Sequence, residues 1–95
     1  REGVHVLRGS QADVANNTIE GNGLAGVQAS NNSTIGLGQT SGTSPFALPN
    51  STSGVLNGGV GVACFGGGYV NGRQGTLNGT GGAADIAGCA GSIAP

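Results

Sequence analysis

The hydrophobic and polar positions repeat along the chain at a spacing of about 23 residues. Three segments open with glycine followed by alternating aliphatic and other residues, at Gly3, Gly26 and Gly59, and a weaker fourth opens at Gly82. The spacings between these starts are 23, 33 and 23 residues. Alternation with period two is typical of a strand with one buried face, so each segment predicts a short β-strand.

Aliphatic residues align in columns once the ten extra residues of the middle segment are set aside. Those extra residues fit best in 39–53, a polar stretch with two prolines that we interpret as an inserted loop. Asn-Gly pairs between the predicted strands indicate tight turns. The columns, read from the first segment to the last, are Val4, Val27 and Val60; Val6, Ala29 and Val62; Val14, Leu37, Val70 and Ile93.

Short strands that repeat about every 23 residues predict an all-β fold. The specific prediction is a parallel β-helix, or solenoid, of three to four rungs with one loop insertion. Gly and Pro make 25 of the 95 residues, which without a period would indicate a disordered chain. The whole chain, 1–95, is predicted to be a single β-helix domain. Because it begins at Arg1 and contains no Met, we expect it to be the C-terminal piece of a longer protein.

The first repeat resembles a known family. Residues 3–23 read as Gly-aliphatic-x-aliphatic, then a later aliphatic residue, then Asn17-x-Ile19-x-x-Asn22-Gly. This pattern resembles the right-handed parallel β-helix repeat of pectate-lyase-like secreted bacterial proteins, closely over 3–37 and more thinly over 54–82. The resemblance implies a right-handed parallel β-helix. It implies function only loosely, because such repeats occur in polysaccharide-cleaving enzymes, epimerases, tailspikes and adhesins.

The charge composition argues against two classes of partner. The chain has three Arg, no Lys, four acidic residues and one His, for a net charge of −1. Nucleic-acid binding is not expected, because it needs clustered basic residues to neutralise phosphates. Membrane insertion is not expected either, since no apolar run approaches the roughly 20 residues of a spanning helix.

The acidic residues do not form the pair that glycan cleavage needs. The resemblance implies paired carboxylates, or Ca²⁺ held by carboxylates beside an Arg base, in the cleaving members of the family. The four acidic residues fall at different positions within the repeats: Glu2, Asp13, Glu20 and Asp85. We therefore predict no catalytic residue, no metal site and no cofactor. These residues do not decide whether the chain belongs to an enzyme, and we expect the isolated chain to have no activity.

Polar residues on the outer face of the strands are the candidates for binding. His5 lies on the opposite face of its strand from Val4 and Val6, and aromatic side chains provide surfaces on which sugars stack. Tyr69 is the aromatic placed best for this, although core or corner packing is the more usual fate for it and for Phe65. The candidate binding residues are His5, Arg8, Gln28, Asn31, Tyr69 and Arg73.

The two cysteines require a geometric test. The repeat places Ala87 next to Cys64 and leaves Cys89 two residues further on. The separation of about 4.8 Å between strands and a slip of about 6.6 Å along one together exceed disulfide reach, unless the last segment is irregular. We favour the Cys64–Cys89 disulfide as a clamp in an irregular C-terminal segment. A disulfide indicates an oxidising compartment, so the expected location is secreted, cell-surface or periplasmic.

Three functions fit these patterns. We expect a non-catalytic scaffold or binding module of a secreted, carbohydrate-associated β-helix protein, with a polysaccharide as partner. One alternative is the C-terminal fragment of a polysaccharide lyase or hydrolase, and the other is a self-assembling extracellular filament subunit. An open strand edge at residues 2–7 predicts contact with an upstream domain or a second copy, because unpaired edges are templates for pairing.

Overall fold

The chain forms eight short β-strands in a computed structural model that describes residues 1–38, 48–80, 86–87, 89 and 93–94. This confirms the all-β class. Within these ranges there is no helix, and hence none long and apolar enough to cross a membrane. The strands are β1 (Val4–Val6), β2 (Gln11–Val14), β3 (Val27–Ser30), β4 (Thr34–Leu37), β5 (Val62–Phe65), β6 (Tyr69–Arg73), β7 (Ile86–Ala87) and β8 (Ile93–Ala94).

The strands form two parallel sheets between which the chain alternates. The odd-numbered sheet has the order β1-β3-β5-β7, and the even-numbered sheet has the order β2-β4-β6-β8. Each sheet consists of three strands of three to five residues with a two-residue strand at one edge. None of the eight described strands pairs with its neighbour in the sequence, so each of their pairings joins distant parts of the chain.

The predicted parallel β-helix of three to four rungs of about 23 residues is wrong. The spacing of 23 residues holds where Val4 pairs with Val27. Val27 then pairs with Val62, 35 residues on, and Val62 pairs with Ile86, 24 residues on. The structure shows a small all-β arrangement of two parallel sheets with unequal spacings, and no regular stack of equal rungs.

At the third segment, the observed strand pairing differs from the predicted columns by two residues. The pairings Val4 with Val27 and Val14 with Leu37 agree with the prediction. Beyond them, the observed partners are Val62 for Val27, and Gly72 for both Leu37 and Ile93. A slip of two residues keeps every side chain on its own face of the sheet, so hydrophobic alternation does not distinguish the two registers.

One hydrophobic core receives side chains from both sheets. Alternate residues of strands β1 to β6 point into it, as period-two patterning requires. Among the described residues, the core holds small and medium side chains and no aromatic one. The buried cluster contains Val6, Val14, Ile19, Val27, Ala29, Ile35, Leu37, Val62, Cys64, Val70 and Leu77.

Part of the predicted loop is built into the structure. Residues 39–47 and the start of the fourth segment at Gly82 lie outside the described residues. Residues 48–53 do not project as a loop: Ser51 forms parallel bridges with Thr18 and Thr76, and Asn50 is fully buried. The Asn50 amide Nδ2 donates to the carbonyl of Val14 at 2.8 Å. The polar composition of 48–53 therefore reflects a buried amide and not a loop exposed to solvent.

A column of glycines explains how the segments approach one another closely. A Cβ atom on Gly3 would lie 2.7 Å from the carbonyl oxygen of Gly26, and one on Gly26 would lie 2.9 Å from that of Gly61. Gly61, rather than the predicted Gly59, therefore continues the column. The three positions require glycine because neighbouring backbone occupies the space of a side chain.

The predicted disulfide between Cys64 and Cys89 is confirmed. The two Cα atoms are 4.8 Å apart. The register pairs Ala63 with Ala87, so Cys89 lies one residue closer to its partner than the repeat predicted. This shift brings the pair within disulfide reach.

Candidate ligand-binding groove

The outer face of the odd-numbered sheet carries a compact group of polar side chains. His5 on β1 pairs with Gln28 on β3, which pairs with Ala63 on β5. Two residues along, Ser30 pairs with Phe65. These side chains share one face because alternate residues of a strand point the same way. Their neighbours in the sequence, such as Val27 and Ala29, point into the core.

Hydrogen bonds connect the polar side chains. His5 Nε2 lies 3.0 Å from Ser30 Oγ. The Gln28 amide Nε2 lies 3.2 Å from His5 Nε2 and 3.1 Å from Ser30 Oγ. On the other side of the ring, His5 Nδ1 lies 3.5 Å from Glu2 Oε1. We call Glu2, His5, Gln28 and Ser30 the polar array.

The roles of the two His5 nitrogens depend on the tautomer of the ring. An amide nitrogen only donates hydrogen bonds, so the contact with Gln28 corresponds to the tautomer in which Nε2 accepts. The ring proton then lies on Nδ1, facing the carboxylate of Glu2. Backbone contacts on either side hold Glu2 in place, since Arg1 O accepts from Leu24 N at 3.0 Å and Gly3 N donates to Ala25 O at 3.1 Å.

An apolar groove of about 460 Å³ opens beside the polar array. Glu2 and Gln28 belong to both, so they join the polar array to the groove wall. Phe65 lies at the end of β5 and is 57% exposed. It is one of only three aromatic residues in the chain, and exposure is unusual for a Phe side chain. The groove is lined by Glu2, Leu24, Ala25, Gln28, Gly59, Val60, Ala63 and Phe65.

The structure brings together two of the six predicted binding residues. His5 and Gln28 are in contact and face the solvent side of the odd-numbered sheet. Arg8 and Asn31 lie at the turns that follow β1 and β3, where both have left-handed backbone angles with φ of 60° and 55°. Both are exposed, and neither lines the groove.

Tyr69 and Arg73 lie on β6, in the other sheet. They are therefore separated from His5 and Gln28. Tyr69 is 40% exposed and Phe65 is 57% exposed, so neither aromatic is packed in the core. Of the two, Phe65 adjoins the groove.

The sequence contained a signal for Ser30 that the prediction missed. Ser30 follows Gln28 by two residues, so strand alternation places both on the same face as His5. Phe65 was harder to place, because the two-residue error in register moved it away from the position beside Ser30. Glu2 precedes β1, and its approach to His5 depends on backbone contacts that no local pattern records.

The two other described carboxylates, Asp13 and Glu20, are exposed. The Ser53 hydroxyl donates to Glu20 Oε1 at 3.3 Å. Asp13 is exposed on β2, and Asp85 lies outside the described residues. Over the described part of the chain, no group of three or more His, Cys, Asp and Glu residues is placed to hold a metal ion.

No known protein family, characterised protein or solved structure matches this chain. The likeness to β-helix repeats therefore remains one of sequence pattern alone.

Proposed function

We propose that the chain is a carbohydrate-binding module whose binding site is the groove on the odd-numbered sheet. The observation that carries the proposal is the exposed Phe65 ring at a groove that also presents the polar array. A sugar ring has an apolar face that stacks on an aromatic surface and hydroxyls that need hydrogen-bond partners. Phe65 supplies the first, and Gln28 and Glu2 supply the second.

The size of the groove supports a small ligand. Its volume of about 460 Å³ lies within the range of about 300 to 1,000 Å³ typical of small-molecule sites. Apolar walls with a few convergent polar groups are also typical of such sites. The groove is therefore suited to a short stretch of a glycan, with the rest of the polymer lying over the sheet.

The disulfide supports an extracellular place for this function. Disulfides persist in oxidising compartments and are rare in reducing ones. The Cys64–Cys89 disulfide thus fits a protein that is secreted, displayed on a cell surface or held in a periplasm. Polysaccharides are abundant ligands in those places. The lyase-fragment and filament alternatives stay predictions that no contact in the structure favours.

The test is binding of oligosaccharides, measured by saturation-transfer NMR and calorimetry on the oxidised chain. We expect Phe65→Ala to weaken binding by about tenfold or more, since stacking contributes about 0.5 to 1.5 kcal/mol beyond the area that the ring buries. Tyr69→Ala is the matched control, because Tyr69 is an exposed aromatic on the other sheet. Loss of binding in Tyr69→Ala but not in Phe65→Ala would contradict the proposed site.

A further inference from the structure

A hydroxyl, an imidazole and a carboxylate follow one another in the polar array. Ser30 Oγ lies 3.0 Å from His5 Nε2, and the opposite ring nitrogen, Nδ1, lies 3.5 Å from Glu2 Oε1. A nucleophile within hydrogen-bond reach of a base, itself oriented by a third group, is the arrangement that activates a serine. The residues come from β1, β3 and the segment before β1, so this order arises only in the folded chain.

The tautomer of His5 suits it to accept a proton from Ser30. In the tautomer with its proton on Nδ1 facing Glu2, the single lone pair of Nε2 lies 3.2 Å from Gln28 Nε2 and 3.0 Å from Ser30 Oγ. The hydroxyl uses this lone pair once the Gln28 amide has turned away. When Nε2 becomes protonated, the Glu2 carboxylate offsets the new positive charge. Glu2 is the positioning residue, because it acts on the ring and does not touch the hydroxyl.

Access to Ser30 runs past Gln28. Ser30 is only 6% exposed, and the half-buried Gln28 side chain lies against it. Gln28 also lines the groove. Ser30 and His5 do not line the groove themselves. A molecule in the groove therefore reaches Ser30 Oγ only if the Gln28 side chain rotates away.

We propose that Ser30 is a nucleophile that takes an acyl group from a small carboxylic ester bound in the groove. Ser30 Oγ bonds to the ester carbonyl carbon while its proton passes to His5 Nε2. The bond from that carbon to the alkoxy oxygen breaks, and His5 gives the proton to the departing alcohol. Water then cleaves the acyl-serine by the same transfers, which releases the carboxylic acid and restores Ser30.

The apolar wall indicates which esters fit. Leu24, Val60 and Phe65 offer a short apolar surface to an acyl chain. The substrate class is thus an ester of a short aliphatic acid, and an acyl group carried by a sugar hydroxyl belongs to it. The inference uses the groove of the proposed function, but it does not require that the alcohol part be a sugar.

The test is labelling of the oxidised, unmodified chain with an alkyl fluorophosphonate, followed by mass spectrometry. In this reaction Ser30 Oγ bonds to phosphorus, fluoride leaves and His5 takes the proton. We expect one label per chain, located on Ser30, and release of p-nitrophenol from p-nitrophenyl acetate. No label after prolonged exposure, or a label on Ser10, an exposed serine without an imidazole partner, overturns the proposal.

Two variants and one control extend the test. Ser30→Ala should take no label, and His5→Gln should slow labelling by a factor of about 100 or more, as loss of a general base does. Ser10→Ala should be labelled at the same rate as the unmodified chain. Equal rates in His5→Gln and the unmodified chain overturn the role of His5. If the chain binds oligosaccharides but takes no label, the nucleophile inference is wrong and the proposed function stands. If the chain takes the label but binds no oligosaccharide, the proposed function is wrong and the nucleophile inference stands.

Discussion

At the scale of single residues, buried amides and glycines determine how closely the chain segments approach. Asn57 is fully buried, and both ends of its amide have partners. Its Oδ1 accepts from Asn22 Nδ2 at 2.8 Å, and its Nδ2 donates to Asn78 O at 2.8 Å. The amide thus joins three segments that are far apart in the sequence. Sequence reasoning recognised Asn57-Gly58 as a turn, but it had no way to place the side chain inside.

We expect Asn57→Ala to lower the free energy of unfolding by about 2 to 4 kcal/mol, because it leaves buried backbone and amide groups without partners. Urea unfolding of the oxidised chain, followed by circular dichroism, measures the effect. Asn71→Ala is the control, since Asn71 is exposed on β6. Similar losses in the two variants would contradict the role given to the buried amide.

Gly61 provides a second test at this scale. A Cβ atom there would lie 2.5 Å from the carbonyl oxygen of Leu77, which is backbone and cannot easily move. Gly61→Ala should therefore cost about 1 to 3 kcal/mol of unfolding free energy. In Gly36→Ala the new Cβ meets the flexible Asp13 carboxylate at 2.9 Å, so a smaller loss is expected in the same urea titration. A larger loss in Gly36→Ala would refute this explanation.

At the scale of elements, the sequence specified the strands better than their pairing. Alternation predicted the first strands and placed His5 and Gln28 on the outer face of the sheet. The 23-residue spacing correctly predicted that these two residues pair across β1 and β3. The next pairing was misjudged because Gly59-Val60 and Gly61-Val62 present the same pattern two residues apart. The close backbone contact at Gly61 and the buried Asn57 side chain distinguish the two registers. Both features depend on tertiary contacts. Half of the polar array, His5 and Gln28, was therefore predicted, Ser30 could have been added from strand alternation, and the side of the groove next to Phe65 could not.

The disulfide stabilises the junction between β5 and the segment after β7. Its two cysteines are 25 residues apart, a loop for which chain entropy predicts a stabilisation of about 3 to 4 kcal/mol. Reduction with dithiothreitol should lower the urea midpoint accordingly. The double variant Cys64→Ala/Cys89→Ala should be less stable than the oxidised chain and insensitive to the reductant. An unchanged midpoint after complete reduction, verified by thiol alkylation, would show that the disulfide adds nothing.

At the scale of the whole molecule, β1 and β2 are edge strands, each paired on one side only. Unpaired edges attract further strands, and natural sheets usually protect them with charges. Strand β1 contains no Lys, Arg, Asp or Glu, and β2 contains only Asp13, so β1 has little such protection. The predicted contact of residues 2–7 with a second copy or another domain is consistent with this exposure and remains a prediction.

We expect the apparent mass measured by light scattering to rise with protein concentration. Val4→Lys should suppress this rise, because it places a charge pointing inwards on the edge strand β1, where Val4 is half-buried. Gln11→Lys adds the same charge at an exposed position of β2 and should change the association less. A constant monomer mass for the unmodified chain would refute the prediction.

The alternation of the chain between two sheets also has a consequence for how the protein folds. β1 has no partner until β3, which begins at Val27, has been synthesised, and β2 must wait for β4. Neither hairpins nor helices are present among the described residues to provide an early local nucleus. Chains dominated by distant pairings fold in milliseconds to seconds rather than microseconds. Strands that wait for distant partners stay open to association with other chains during refolding, where we expect lower protein concentration to raise the yield.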